Sequence, residues 1–94
     1  QTLDQVDLLA LGDRRVLMIV VTRDHQVHNK LVLLDEMVTQ DELHSIRNYL
    51  NMEFGGWVLS EIRAELKKRL EAEAAAYDRM LKQLTDLYAK GLLA

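Results

Sequence analysis

The chain has 94 residues, 49% hydrophobic and 29% charged, with a net charge of −3. That length holds one domain, and that balance of apolar and charged residues excludes a disordered tail. The acidic balance argues against a nucleic-acid reader, the absence of Cys excludes disulfides and thiolate chemistry, and no apolar run approaches the roughly 18 residues of a membrane span.

The first residue is Gln1 and no export signal follows it, so a piece of a longer protein, or a chain with its start removed, is expected. A domain this small hides only about 60–65% of the surface its unfolded chain exposes, and therefore benefits from a partner.

In chain order, Val6 to Leu11 is a short apolar run ending at Gly12-Asp13, a two-residue turn signal. Val16 to Val21 is apolar without a break, the pattern of a strand buried on both faces and central in its sheet. Arg23 to Gln26 is the next turn, and Val27 to Leu34 the third strand. Three strands with two short turns predict an antiparallel meander. Asp35 to Val38 connects it to a helix opened by Thr39, with Glu42 three residues on to complete a capping box. Leu43, Ile46, Tyr49, Leu50 and Phe54 follow at helical spacing, and Gly55-Gly56 predicts a left-handed cap.

A second helical pattern runs from Leu59 to Lys90, with Gly91 as its stop. Its apolar stripe is Leu59, Ile62, Leu66, Leu70, Ala74, Tyr77, Leu81, Leu84 and Tyr88, a period of about 3.6 residues, that of a straight helix. Glu65/Arg69, Asp78/Lys82 and Asp86/Lys90 stand as i, i+4 pairs in the favourable order. Such a helix would reach roughly 46 Å, against about 30 Å for a globule of this size. Either it bends near Glu71 to Ala76, or its distal half projects onto another chain. With no Pro or Gly there to force a bend, projection is the expectation. Leu70, Tyr77, Leu81, Leu84 and Tyr88 are then the candidate dimer interface. The reading is an α+β fold: meander, capped helix and long C-terminal helix. It divides into residues 1–58 and a helical dimerising segment, 59–94.

Little in the chain carries chemistry. His25 and His28 have H-x-x-H spacing, but zinc needs three or four converging ligands and a strand would point these two to opposite faces. They and His44 read as solvated residues. No phosphate-binding glycine loop or nucleophile elbow is present, and Ser45 and Ser60 lack base and acid partners. Lys67-Lys68-Arg69 is flanked by glutamates, a solvated face. No enzyme, cofactor or metal is expected. Asn29 shares a strand face with Val27, Leu31 and Leu33, and is either a satisfied strand or bulge polar group or a contact in a small-molecule or domain-docking pocket. Trp57, after Gly55-Gly56, either plugs the core or anchors an interface, and pairs with Asn29 as the candidate pocket.

The order of blocks resembles one family. Gln5-Val-Asp-Leu-Leu-Ala-Leu-Gly-Asp-Arg-Arg-Val-Leu-Met-Ile-Val-Val-Thr22, Val27-His-Asn-Lys-Leu-Val32, Asn48-Tyr-Leu-Asn51 and Leu59-Ser-Glu-Ile-Arg63 resemble the central region of the heat-inducible transcription repressors, the HrcA family. Two positions depart from it: His25 stands where the family turn has Gly, and Lys30 where it has Arg. The resemblance implies a GAF-like fragment with the start of a dimerising insert, in a cytoplasmic stress-response regulator without membrane attachment. It implies a homodimer that binds an inverted-repeat operator upstream of chaperonin genes. A winged-helix domain outside this chain would hold the DNA, and the chaperonin would act as modulator. The rival reading is a ligand-sensing GAF-like module with a pocket near Asn29.

Overall fold

Three strands and three helices follow one another in the computed structural model, which describes residues 1–94: β1 (Leu3–Gly12), β2 (Arg15–Thr22), β3 (Val27–Leu33), α1 (Gln40–Phe54), α2 (Leu59–Glu71) and α3 (Arg79–Ala89). A 3-10 turn, Glu73–Tyr77, stands between α2 and α3. The sheet is an antiparallel meander of order β1-β2-β3, so the unbroken apolar strand is central as its pattern requires. Ala10 pairs with Val16, and Val16 with Val32.

The first turn sits one residue later than the glycine signal suggests. Asp13 (φ 51°) and Arg14 (φ 66°) form the loop, both left-handed, as a type I′ hairpin requires. Gly12 (φ 84°) takes up a register shift before it. Arg14 offsets some of the strain by donating from its guanidinium to the carbonyls of Leu34 and Asp35.

Helix α1 opens on the capping box. The Glu42 N–H donates to Thr39 Oγ1 (3.1 Å), and the Thr39 N–H donates to Glu42 Oε1 (3.0 Å). Its Leu43, Ile46, Leu50 and Phe54 are buried against the sheet. The helix ends differently from expectation: Gly55 has φ −54°, and only Gly56 (φ 88°) is left-handed.

The single helix expected from Leu59 to Lys90 is instead two helices folded back on the sheet. Ala72 (φ −65°, ψ 145°) and Asp78 (φ −107°, ψ 116°) leave the helical region, and the Asp78 carboxylate accepts from the Leu81 N–H to start α3 afresh. The gain is burial: Leu84 and Leu87 of α3 reach the core only because the chain turns back. The molecule measures 33 × 30 × 19 Å, so no distal half projects. At the C-terminal end of α3 the Leu92 N–H donates to Leu87 O and the Gly91 N–H to Tyr88 O. With Gly91 at φ 111° this is a Schellman motif, the stop that Gly91 signals.

One core unites these elements. Leu3, Val6, Leu8, Val16, Met18, Val20 and Val32 of the sheet meet Ile46, Phe54, Ile62, Leu66, Leu84, Leu87 and Leu92. Every helix lies on that one side.

Candidate functional site

Side chains alternate across a strand, so the residues between the core positions form a second sheet face. Leu9, Leu17 and Leu31 lie in one cross-strand row, and Asp7, Ile19 and Asn29 in the next. Val21 pairs with Val27 beyond them, and Arg15 with Leu33 at the other end. No helix covers this face. Leu9 and Leu11 are exposed on β1, and on β3 Val27 (59%), Leu31 (56%) and Leu33 (52%) are more than half exposed. The central strand, expected to be buried on both faces, keeps Leu17, Ile19 and Val21 only half-buried, shielded by neighbouring side chains alone. Three strands at about 4.8 Å spacing and seven residues at about 3.3 Å give a bare face of about 14 by 23 Å.

The two edges of the sheet are treated differently. On β1, the Asn51 side chain of α1 accepts from the Val6 N–H (2.7 Å) and donates to Val6 O (3.0 Å). Gln40, at the other end of α1, accepts from the Ala10 N–H (2.8 Å) and donates to Leu8 O (2.9 Å). The Leu8 N–H donates to Asp7 Oδ1. Every outward backbone group of β1 from Val6 to the Ala10 N–H is thus occupied. On β3, the Thr22 N–H to Gln26 O and Leu34 N–H to Arg14 O bonds set the phase of the ladder. Val27, Asn29, Leu31 and Leu33 therefore turn N–H and C=O outward, and nothing in the chain pairs with them. The most exposed apolar row and the open edge belong to the same residues.

The candidate interface stripe is dispersed by the bend. Leu84 is fully buried in this protomer's own core, and Leu70, Leu81 and Tyr88 are partly buried against it. Tyr88 donates its hydroxyl proton to Arg63 O (3.2 Å). Tyr77, at the bend, is 83% exposed.

The candidate pocket pair is not brought together. Asn29 borders a cavity of about 190 Å³ with Met18, Val20, Lys30 and the Gly91–Ala94 tail, and Trp57 is not among its walls. Asn29 is exposed in the outer row, so its amide is free to hydrate. Trp57 stands edge-on to Phe54, ring centres 5.1 Å apart, and keeps about a third of its surface in solvent.

Ion pairs staple the helices. Arg69 lies 4.9 Å over the Phe54 ring and donates to Tyr49 Oη, Glu53 and Glu65; these bonds raise its pKa above the ordinary value. Glu42 accepts from its own cap, from Arg79 (2.7 Å) and from Gln83 (2.8 Å). The Thr39 N–H first, then Arg79, holds its carboxyl at about 2. Lys90 bridges Asp35 (3.0 Å) and Asp86 (3.6 Å). Of the three i, i+4 pairs, Glu65/Arg69 and Asp86/Lys90 form, while Asp78 serves as a cap instead. His25, His28 and His44 are exposed, and no group of three or more acidic or imidazole side chains converges. The Ser45 hydroxyl donates to Asp41 O in its own helix. No helix is long and apolar enough to cross a membrane.

These features define a class: an α+β module with a single-layered sheet, helices on one side and apolar side chains bare on the other. The chain belongs to the HrcA family, whose description "HrcA protein C terminal domain" matches residues 1–93. Among similar proteins, a heat-inducible transcription repressor HrcA from Xanthomonas euvesicatoria pv. vesicatoria is 34% identical over 88 residues, 94% of this chain and 25% of the relative. The protein of the same name from Geobacter sulfurreducens is 30% identical over 87 residues, 93% of this chain and 25% of the relative. The chain thus spans about a quarter of the length of these relatives. No solved structure matches it, and the GAF-like description rests on the resemblance alone.

Proposed function

We propose that this chain is the regulatory and dimerising core of a heat-inducible transcription repressor. Two copies pack their outer sheet faces, with Val27, Leu31 and Leu33 at the centre of contact. The bare apolar sheet face carries this reading: at about 320 Å² it equals the largest apolar patch of a typical monomer, which is often functional, and its one acid, Asp7, sits 3.8 Å from Arg47. The one cation of the face, Arg15, lies at its hairpin end and donates to the Gly12 and Leu11 carbonyls, so the apolar centre meets its copy without charge. Their combined area lies in the range of weak interfaces, so association is concentration-dependent.

In the full-length protein the pairing sets the separation of two DNA-binding heads outside this chain, matched to the half-sites of an inverted-repeat operator. Residues 1–58 carry the pairing face and residues 59–94 brace it from behind. The repressor works in the cytoplasm, and the chaperonin modulates it by acting on a core of low stability, because a loss of one or two kcal/mol changes the folded ratio of a small domain markedly.

Sedimentation of the 94-residue chain over a concentration series tests the pairing. The expected result is a mass rising toward the dimer, with Leu31→Glu held at the monomer and its circular dichroism unchanged. Identical monomer masses for both chains at every concentration would remove the pairing.

A further inference from the structure

We infer that α3 is exchangeable between two copies of this chain: residues 72–78 straighten, α2 and α3 become one helix, and each α3 fills the core of the partner. This goes beyond the sheet-face reading and stands without it.

The bend has no obligatory breaker. Glu71 to Ala76 contains neither Gly nor Pro and is made of strong helix formers. Only Ala72 and Asp78 are extended, while Glu73 to Tyr77 already turn as a 3-10 helix. Bonds at the junction are long: the Ala72 N–H lies 3.4 Å from Arg69 O, and the Asp78 N–H 3.3 Å from Ala75 O. Rotation at two residues separates the bent form from a continuous helix.

The apolar stripe is in phase across the bend. Leu59, Ile62, Leu66 and Leu70 before it and Leu81, Leu84 and Tyr88 after it fall on one face of an unbroken helix, with Ala74 and Tyr77 between them. In the bent form that continuity is lost: Ala74 is exposed, and Tyr77 is 83% exposed although its stripe neighbours pack on the core. Straightening returns both to the stripe. Two such helices, each roughly 46 Å long, cross at this segment, where alanines allow close approach and Tyr77 gains a partner.

Exchange keeps the contacts that α3 makes with α1, α2 and the core, and gives up those it makes with the Glu73–Tyr77 turn. Leu84, Leu87, Leu92 and Leu93 enter the partner's core in place of its own copies. Arg79 and Gln83 meet the partner's Glu42, and Lys90 the partner's Asp35, as they do within one protomer here. Only the junction differs, and there the helix-forming sequence opposes the Asp78 cap. Because α3 must leave its core before exchanging, the reaction is slow at rest and accelerated by heat.

Native mass spectrometry on the 94-residue chain tests the exchange. Isotopically light and heavy chains are mixed at high concentration, held just below the melting temperature, then cooled and diluted. Mixed dimers that persist on dilution are expected after heating and not before. Glu73→Pro suits the bent form, since it occupies the first 3-10 position and Ala72 already has the extended conformation favoured before proline. The same proline interrupts a continuous helix, so this variant is expected to stay folded and give no persistent dimer. Asp78→Ala removes the α3 cap and is expected to raise the mixed-dimer fraction several-fold. Leu31→Glu, which abolishes sheet-face pairing, should leave exchange unaltered. The proposal is overturned if wild type and Asp78→Ala both remain monomers after heating, or if Glu73→Pro forms persistent dimers as readily as wild type.

Discussion

His25 is held at φ 66°, in the left-handed region, between β2 and β3. For a residue with a Cβ that conformation costs roughly 1–2 kcal/mol. The turn needs it: the His25 N–H donates to Thr22 O (3.0 Å), and the Thr22 hydroxyl donates to Asp24. The imidazole is exposed and makes no bond, so the side chain contributes nothing that offsets the strain. His25→Gly is therefore expected to stabilise the chain by about 0.5–1 kcal/mol, part of the strain relief being offset by glycine's greater freedom when unfolded. A urea midpoint that rises at constant slope is the expected outcome; an unchanged or lower midpoint would mean that the turn is not strained. The position of this turn was legible in Arg23-Asp24-His25-Gln26, because polar residues interrupt two apolar runs. The Asp13-Arg14 loop was less so, since the glycine signal marks the bulge rather than the left-handed pair after it.

At the scale of elements, α1 does three jobs with polar residues that no periodicity flags. Thr39 and Glu42 start the helix, which is local chemistry and visible as T-x-x-E. Gln40 and Asn51 close the β1 edge, and nothing in the sequence announces that, because the partner groups lie 30 or more positions away. Glu42 also ties α1 to α3 through Arg79 and Gln83. That tie has a pH signature. The Glu42 carboxyl falls from an ordinary 4.5 to about 2 on folding, through the Thr39 N–H first and Arg79 next. A depressed acid contributes stability that is fully present above its unfolded pKa and disappears as pH falls through the folded one. The wild-type chain should therefore lose stability between about pH 4.5 and 2. Asp35, lowered by its bond to Lys90, adds to the loss in the same direction. Glu42→Gln should flatten the curve of melting temperature against pH in that window without abolishing its slope. Parallel curves for the two chains would show that the carboxylate is not the titrating group. The bend between α2 and α3 belongs to the same lesson. Propensity and phase favour a continuous helix from Glu71 onward; the Asp78 cap marks a fresh start locally, and burial of Leu84 and Leu87 in the core favours the turn back. That is a tertiary preference, invisible to a window of local sequence.

For the whole molecule, the consequence of a one-sided architecture is that few side chains carry its stability. The helices and the inner sheet face share a single core, while the outer face adds only half-buried cross-strand rows to a lone protomer. Two members of the same sequence stripe should then behave in opposite ways. Leu84 is fully buried in that shared core, and Tyr77 stands in solvent at the bend. Leu84→Ala removes buried methyl groups and leaves a cavity, which costs about 2–5 kcal/mol. For a domain of this length, that lowers the melting temperature by roughly 8–40 °C. Tyr77→Ala touches no core contact and should change stability by no more than about 0.5 kcal/mol. Periodicity puts the two residues on equal footing, so thermal melts of both variants measure what the bend does. A large loss at Leu84 with none at Tyr77 is expected of the folded-back protomer at low concentration. Equal losses at both positions would mean that the chain in solution is already the straightened form, with Tyr77 covered by a second copy.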